Sequence, residues 1–152
     1  MEISLAEIEE ILKTNPNRIV LIDEAYIDFG GTSCVDLIRK YDNLLVVQTY
    51  SKSRSMAGAR LGFAIADAGI IADLEKIKYS TNPYNINRLT LLAGEAAVES
   101  NTYYMENARK IAKTRENATE RLRQMGFTVL DSKANFILQK ATPSAAGCFM
   151  RN

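Results

Sequence analysis

Two short apolar runs constrain this chain more than any other feature. Ile19-Val20-Leu21-Ile22 and Leu44-Leu45-Val46-Val47 are continuous rather than alternating, the pattern of strands buried on both faces of a parallel sheet. Each run stops abruptly in polar residues. The first runs into Asp23-Glu24-Ala25-Tyr26 and the second into Gln48-Thr49-Tyr50-Ser51-Lys52. Open α/β sheets bind their ligands at the carboxyl ends of the strands, so both clusters fall where chemistry is expected.

The elements around the runs read as alternating helix and strand. Ser4 and Glu7 form a capping box, and Leu5, Ile8, Ile11 and Leu12 share one helical face. Asn15-Pro16-Asn17 ends that helix. A second short helix is expected near Ser33 to Arg39, and an amphipathic one from Asp67 to Lys78. Two longer helical patterns follow, Asn87 to Ser100 and Tyr103 to Met125, the second with Ala112, Ala118 and Leu122 inward and closed by Gly126. Phe127 to Leu130 and Asn135 to Leu138 read as two strands joined by a polar turn, and Ser144 to Asn152 as a further helix. The fold class is therefore α/β, a mostly parallel sheet with right-handed crossovers followed by an α+β segment. The change of rhythm sets a domain boundary inside the helix around Leu92 to Ser100, giving 1–95 and 96–152. So small a parallel sheet would leave apolar edges unpaired, and the chain is expected to be part of a larger protein.

Composition narrows the chemistry by exclusion. The 152 residues carry a net charge of +1, so no basic field points to nucleic acid. The longest apolar runs are too short to span a membrane, and no charged-then-apolar leader opens the chain, which makes cytoplasmic residence the expectation. There is no histidine. That removes the Ser-His-Asp triad, Cys-His nucleophiles and histidine metal sites. Cys34 and Cys148 are too far apart for a metal knuckle and are expected to be reduced.

Proton transfer near neutral pH then falls to lysine, tyrosine or carboxylates, and the residues after the two runs supply them. Lys52 can form a Schiff base once its pKa falls from the ordinary value of about 10.4, through desolvation and a neighbouring cation such as Arg60. Ser51 and the planar fork of Arg60 can bind a phosphate. The carboxylate of Asp23 can hold a proton on an aromatic ring nitrogen, and the Tyr26 phenol can hydrogen-bond a ring oxygen. Taken singly, each residue is more simply a turn, a helix cap or a solvated loop charge. Their order, with 29 positions from Asp23 to Lys52 and 8 from Lys52 to Arg60, is far more specific. Together they answer the functional groups of pyridoxal phosphate.

These residues resemble the motifs of fold-type I pyridoxal-phosphate enzymes, and within them the histidinol-phosphate aminotransferases. Val20 to Phe29 is similar to that family's Asp-Glu-Ala-Tyr segment and Thr49 to Gly62 to its lysine segment. Pro83-Tyr84-Asn85-Ile86-Asn87 resembles a stretch near the substrate, and Ser132 to Ile137 the entry to the small domain. The resemblance implies that Asp23 pairs with the pyridine nitrogen and Tyr26 contacts the ring 3-oxygen. It implies that Ser51 and Arg60 bind the phosphate, and that Lys52 carries the cofactor and moves protons. It further implies transamination between histidinol phosphate and 2-oxoglutarate, in histidine biosynthesis, by a cytoplasmic homodimer. An amino-acid or amino-alcohol phosphate and a 2-oxo acid would be its small-molecule partners. A threonine-phosphate decarboxylase-like enzyme shares the motifs, and a catalytically silent fragment serving assembly is the reading from another class. Family members are well over twice this length. Their glycine-containing phosphate loop and ring-stacking aromatic would precede Met1, and their arginine for the substrate carboxylate would follow Asn152.

Overall fold

A computed structural model describes residues 3–140. The expected helix from Ser144 to Asn152 and Cys148 lie outside those residues. The first helix, α1 (Leu5–Thr14), begins at the predicted capping box. Ser4 Oγ accepts from the Glu7 amide and Glu7 Oε2 accepts from the Ser4 amide. Ile8 and Leu12, four residues apart, are its buried positions, whereas Leu5 and Ile11 flank them and are exposed. Asn43 secures the end of α1 by donating from its buried side-chain amide to the carbonyls of Asn15, at 2.9 Å, and Leu12, at 3.3 Å.

Three strands form the main sheet: β1 (Val20–Asp23), β2 (Leu44–Thr49) and β3 (Gly62–Ala66). Strand β1 runs parallel to β2 with Val20 beside Leu44 and Asp23 beside Val47. The connection between them holds two short 3-10 turns, Ile27–Phe29 and Val35–Arg39, the second occupying the place of the expected helix. Strand β3 corrects the parallel expectation, because it runs antiparallel to β2, from Thr49 beside Gly62 to Leu45 beside Ala66. The connection folds back on itself through the 3-10 turn Ala57–Ala59 and a hydrogen bond from the Met56 amide to the Tyr50 carbonyl, so β2 and β3 form a hairpin. Gly62 is required at its exit, since a Cβ there would lie 2.9 Å from the Gln48 carbonyl oxygen.

The core lies on one face of this sheet, where Ile8, Leu12, Cys34, Leu44 and Val46 pack with the half-buried Val20 and Ile22. Burial on both faces holds for the central strand β2, whose Leu44, Leu45 and Val46 are all buried. It fails for β1, where Leu21 is 55% exposed. Among the described residues, β1 is an edge strand of this sheet and packs on its α1 side.

Cys34 is fully buried and its thiol is free. Burial, reinforced by the hydrogen bond and negative charge of Glu24, raises its pKa from an ordinary 9.0 to about 12. Cys34 should therefore resist a thiol-specific disulfide reagent at pH 8 until the chain is unfolded. A raised acid pKa means that the folded state keeps a proton the unfolded state loses, so this group reduces stability as pH rises from about 9 to about 12. Urea midpoints across that window should fall more steeply for the wild type than for Cys34→Ala.

Helix α2 (Ala68–Thr81) starts at Asp67, whose Oδ1 accepts from the Gly69 amide at 2.8 Å. It has no fully buried residue, and its half-buried Ile70 and Ile71 lie in the part of the helix that follows β3. Helices α3 (Arg88–Glu99) and α4 (Asn101–Gln124) meet at Ser100. Helix α3 buries Thr90, Gly94 and Ala97. A Cβ on Gly94 would come within 2.5 Å of Leu61 Cδ2, so the glycine lets α3 approach the β2–β3 hairpin closely. Of the residues expected inward on α4, Ala112, Ala118 and Leu122 are half-buried, while Ala108 and Arg115 are buried. Gly126, at φ 89°, follows the helix. Strands β4 (Thr128–Val129) and β5 (Gln139–Lys140) then pair antiparallel. The second lies beyond the expected Asn135 to Leu138. A small second cluster, Phe127 and Val129 with Leu122 and Ile137, fixes this pair to α4.

Candidate functional site

The register of the sheet brings the predicted site residues to one edge. Asp23 ends β1, and its parallel neighbour β2 ends at Thr49, so Tyr26 and Lys52 both follow strand termini that point the same way. The Nζ of Lys52 stands 5.4 Å from the centroid of the Tyr26 ring, within reach of a cation–π contact. Phe136 also meets the Tyr26 ring in an edge-type contact, with ring centroids 5.4 Å apart and planes at 84°. Asp23 Oδ1 accepts from the Ala25 amide at 2.9 Å, a short turn that aims the chain toward Tyr26.

The antiparallel hairpin explains the spacing of 8 between Lys52 and Arg60. The Tyr50 amide donates to the Leu61 carbonyl at 3.1 Å. The Tyr50 carbonyl in turn accepts from the Met56 amide at 3.1 Å, so the ladder ends there and Ser51, Lys52 and Arg60 all lie in the loop that joins β2 to β3. Arg60 has φ 56° and Ser55 φ 55°. Non-glycine residues in the left-handed region cost roughly 1–2 kcal/mol each, and such strain concentrates at ligand-binding loops. Arg60 is exposed, and its Nη1 donates to the Ala57 carbonyl at 3.3 Å. Lys52 is also exposed. The desolvation expected of Lys52 is therefore absent among the described residues, where the Tyr26 ring screens one side alone.

A cleft of about 480 Å³ opens beside Asp23 and Tyr26, walled by Leu21 and Thr32 on one side and by Lys133 and Phe136 on the other. Ser51, Lys52 and Arg60 do not line it. Tyr26 is the link, since it lines the cleft and its ring contacts both Lys52 and Phe136.

Three supporting residues escaped the sequence reading. Glu24 is 5% exposed, and its carboxylate accepts from Ser33 Oγ at 2.8 Å, the Cys34 amide at 2.7 Å and Gln48 Nε2 at 2.8 Å. It joins the loop after β1 to the end of β2, immediately behind Asp23. Arg115 is buried on α4 and donates from Nη1 to the carbonyls of Phe29, at 2.9 Å, and Ala134, at 2.7 Å. A signal for Arg115 existed, because it falls seven positions after Ala108 and seven before Leu122, on the inward stripe of α4. Arg54, two residues after Lys52, is half-buried and reaches the α3–α4 junction. In the Pro83-Tyr84-Asn85 stretch Tyr84 is 91% exposed, and Asn87 caps α3 by accepting from the Thr90 amide. Ser53 Oγ donates to Asp28 Oδ2, tying the lysine loop to the turn that follows Tyr26.

This combination, a mixed sheet with a lysine hairpin and an acid-tyrosine turn at one edge, has known relatives. Residues 2–146 match the family of class I and II aminotransferases, and the chain belongs to that family. Over 136 residues it is 53% identical to the histidinol-phosphate aminotransferase of Brachyspira hyodysenteriae, covering 89% of this chain and 38% of that protein. The chain thus spans about two-fifths of the length of the curated relatives it matches. Among solved structures, the histidinol-phosphate aminotransferase of Clostridium acetobutylicum superposes with a TM-score of 0.78 at 32% identity, over 93% of this chain and 44% of that one. The enzyme of that name from Sinorhizobium meliloti, solved in complex with pyridoxal-5'-phosphate, shares the fold with a TM-score of 0.73 at 24% identity, over 86% of this chain and 37% of that one. The expected α/β class, part of a fold-type I transferase, is therefore the observed one.

Proposed function

We propose that this chain carries the covalent half of a pyridoxal-phosphate-dependent aminotransferase site. In its full context the enzyme would exchange an amino group between histidinol phosphate and 2-oxoglutarate, in histidine biosynthesis. The observation that carries the reading is the meeting of Lys52 Nζ and the Tyr26 ring at 5.4 Å, beside the strand end that presents Asp23. Membership of the class I and II aminotransferases and similarity to histidinol-phosphate aminotransferases support the reaction class and the substrate.

The donor set fits the cofactor. Asp23 would hold a proton at the pyridine nitrogen, Tyr26 would bond the ring 3-oxygen, and Ser51 and Arg60 would take the phosphate. Lys52 would be the point of attachment. The bound cofactor supplies an electron sink for carbanion chemistry. Lys52, displaced by the substrate amine, would then move a proton at its Nζ to and from the substrate α-carbon. The Asp23–Ala25 turn and the Tyr26–Phe136 contact hold the acid and the phenol in place for this work.

The same reading includes a homodimer and a cytoplasmic location. No helix among the described residues is long and apolar enough to cross a membrane, and exposed Leu89 and Leu92 on α3 offer apolar surface for a second subunit. It also includes a division of the chain into 1–95 and 96–152, supported by separate apolar clusters around Leu44 and around Phe127.

Borohydride reduction tests the attachment. With pyridoxal phosphate present, the peptide containing Lys52 should gain the reduced cofactor, detected by mass spectrometry, well ahead of exposed lysines such as Lys76. No tag, or equal tagging of surface lysines, would refute the cofactor reading.

A further inference from the structure

Lys52 is tied to the rest of the molecule through its neighbours, and the tie through Arg54 is the most elaborate. The guanidinium donates from Nη1 to the Ala97 carbonyl at 2.9 Å and from Nη2 to Asn101 Oδ1 at 2.8 Å. Its Cζ also lies 5.9 Å from the Tyr50 ring centroid and 5.7 Å from that of Tyr104. Ala97 belongs to the last turn of α3, where a carbonyl without a helical partner welcomes a cation. Asn101 is the first residue of α4. One planar fork therefore spans the break between two helices while lying within cation–π distance of two rings, a combination open to arginine and closed to lysine.

Followed further, these contacts form a closed circuit. Arg54 fixes the lysine loop to the start of α4. Fourteen residues along the same helix, about 21 Å at 1.5 Å per residue, Arg115 holds the Phe29 carbonyl of the turn that follows Tyr26. Tyr26 in turn faces Lys52. The shorter link from Ser53 to Asp28 closes the same gap from the inside. Helix α4 acts as a rigid bar to which both halves of the site are attached.

We propose that Arg54 is a positioning residue for Lys52, setting the lysine loop against the α3–α4 junction so that the Lys52 amine stays over Tyr26. The proposal rests on the aminotransferase reading for what Lys52 does, and on the geometry alone for where Lys52 is held. A group that merely fills space and carries charge would be replaced well by lysine, whereas the fork would not.

Arg54→Lys is the discriminating variant, with Asn101→Ala as a milder one that removes a single acceptor at an exposed helix start. Two measurements are made on each. The first is the rate of borohydride-trapped pyridoxal phosphate at Lys52, with tagging of the other lysines as an internal control. The second needs no cofactor: the proton NMR shifts of the Lys52 side-chain methylenes, displaced by the Tyr26 ring and assigned through Lys52→Arg. Arg54→Lys should keep a melting temperature within about 3 °C of the wild type. It should lose Lys52 tagging on the order of tenfold and return the methylene shifts to those of a free lysine. Asn101→Ala should move both readouts the same way by a smaller factor. Wild-type tagging and shifts in both variants would overturn the proposal. If the wild type is never tagged but its methylene shifts still collapse in Arg54→Lys, the cofactor reading fails and the positioning role stands.

Discussion

Glu24→Ala is expected to lower the unfolding free energy of the chain by about 3 kcal/mol. The carboxylate is 5% exposed and accepts three hydrogen bonds, from Ser33, the Cys34 amide and Gln48. Hydrogen bonds to a charged acceptor contribute roughly 1.5–3 kcal/mol each, and part of that offsets the cost of burying the charge. Truncation removes the acceptor and leaves donors in a space that water enters poorly. Urea denaturation gives the number directly, and a change below about 1 kcal/mol would show that the three donors find other partners. Glu24→Gln should fall between, because an amide keeps one acceptor but turns two N–H groups toward existing donors. The loss should also reach the site. Glu24 ties β1 to β2 next to Asp23, so Glu24→Ala should slow the tagging of Lys52 even where the protein is still folded.

Asp23→Asn is expected to lower turnover of the full-length enzyme by about 10²–10³-fold, the range of a single electrostatic contact that acts in the transition state. Retention of the cofactor should fall by much less, since the phosphate and the covalent attachment involve other residues. Asn retains a side-chain oxygen, so the 2.9 Å bond to the Ala25 amide can persist and the turn toward Tyr26 need not move. The substitution therefore separates the structural role of Asp23 from its proposed role as partner of a ring nitrogen. Steady-state rates together with cofactor absorbance after dialysis measure the two effects. Unchanged turnover with bound cofactor would remove Asp23 from the chemistry and leave it as a turn residue.

Much of the site was legible because its signals are local. The lysine stretch, the Asp-Glu-Ala-Tyr segment and the capping box at Ser4 are each written within a few adjacent residues, and strand ends in α/β sheets are known ligand positions. The residues that escaped notice have remote partners. Glu24 meets Gln48, Arg54 meets Asn101, and Arg115 meets Phe29, 86 positions away. A charged residue in a soluble chain is usually solvated, and only packing reveals that these three are not.

By itself the sequence determined α1 with its capping box, the strands β1 and β2, the order of the reactive residues and the chemistry open to a chain without histidine. These follow from periodicity, capping and side-chain reactivity, which depend on near neighbours. The tertiary structure decided the direction of β3, and with it the hairpin whose loop carries Ser51, Lys52 and Arg60. It also decided the exposure of Leu21 at the sheet edge and the anchoring of Lys52 through Arg54. Those outcomes depend on where a strand returns and on which distant surfaces meet. Side-chain burial and hydrogen-bond partners are properties of the packed whole, and no local stretch encodes them.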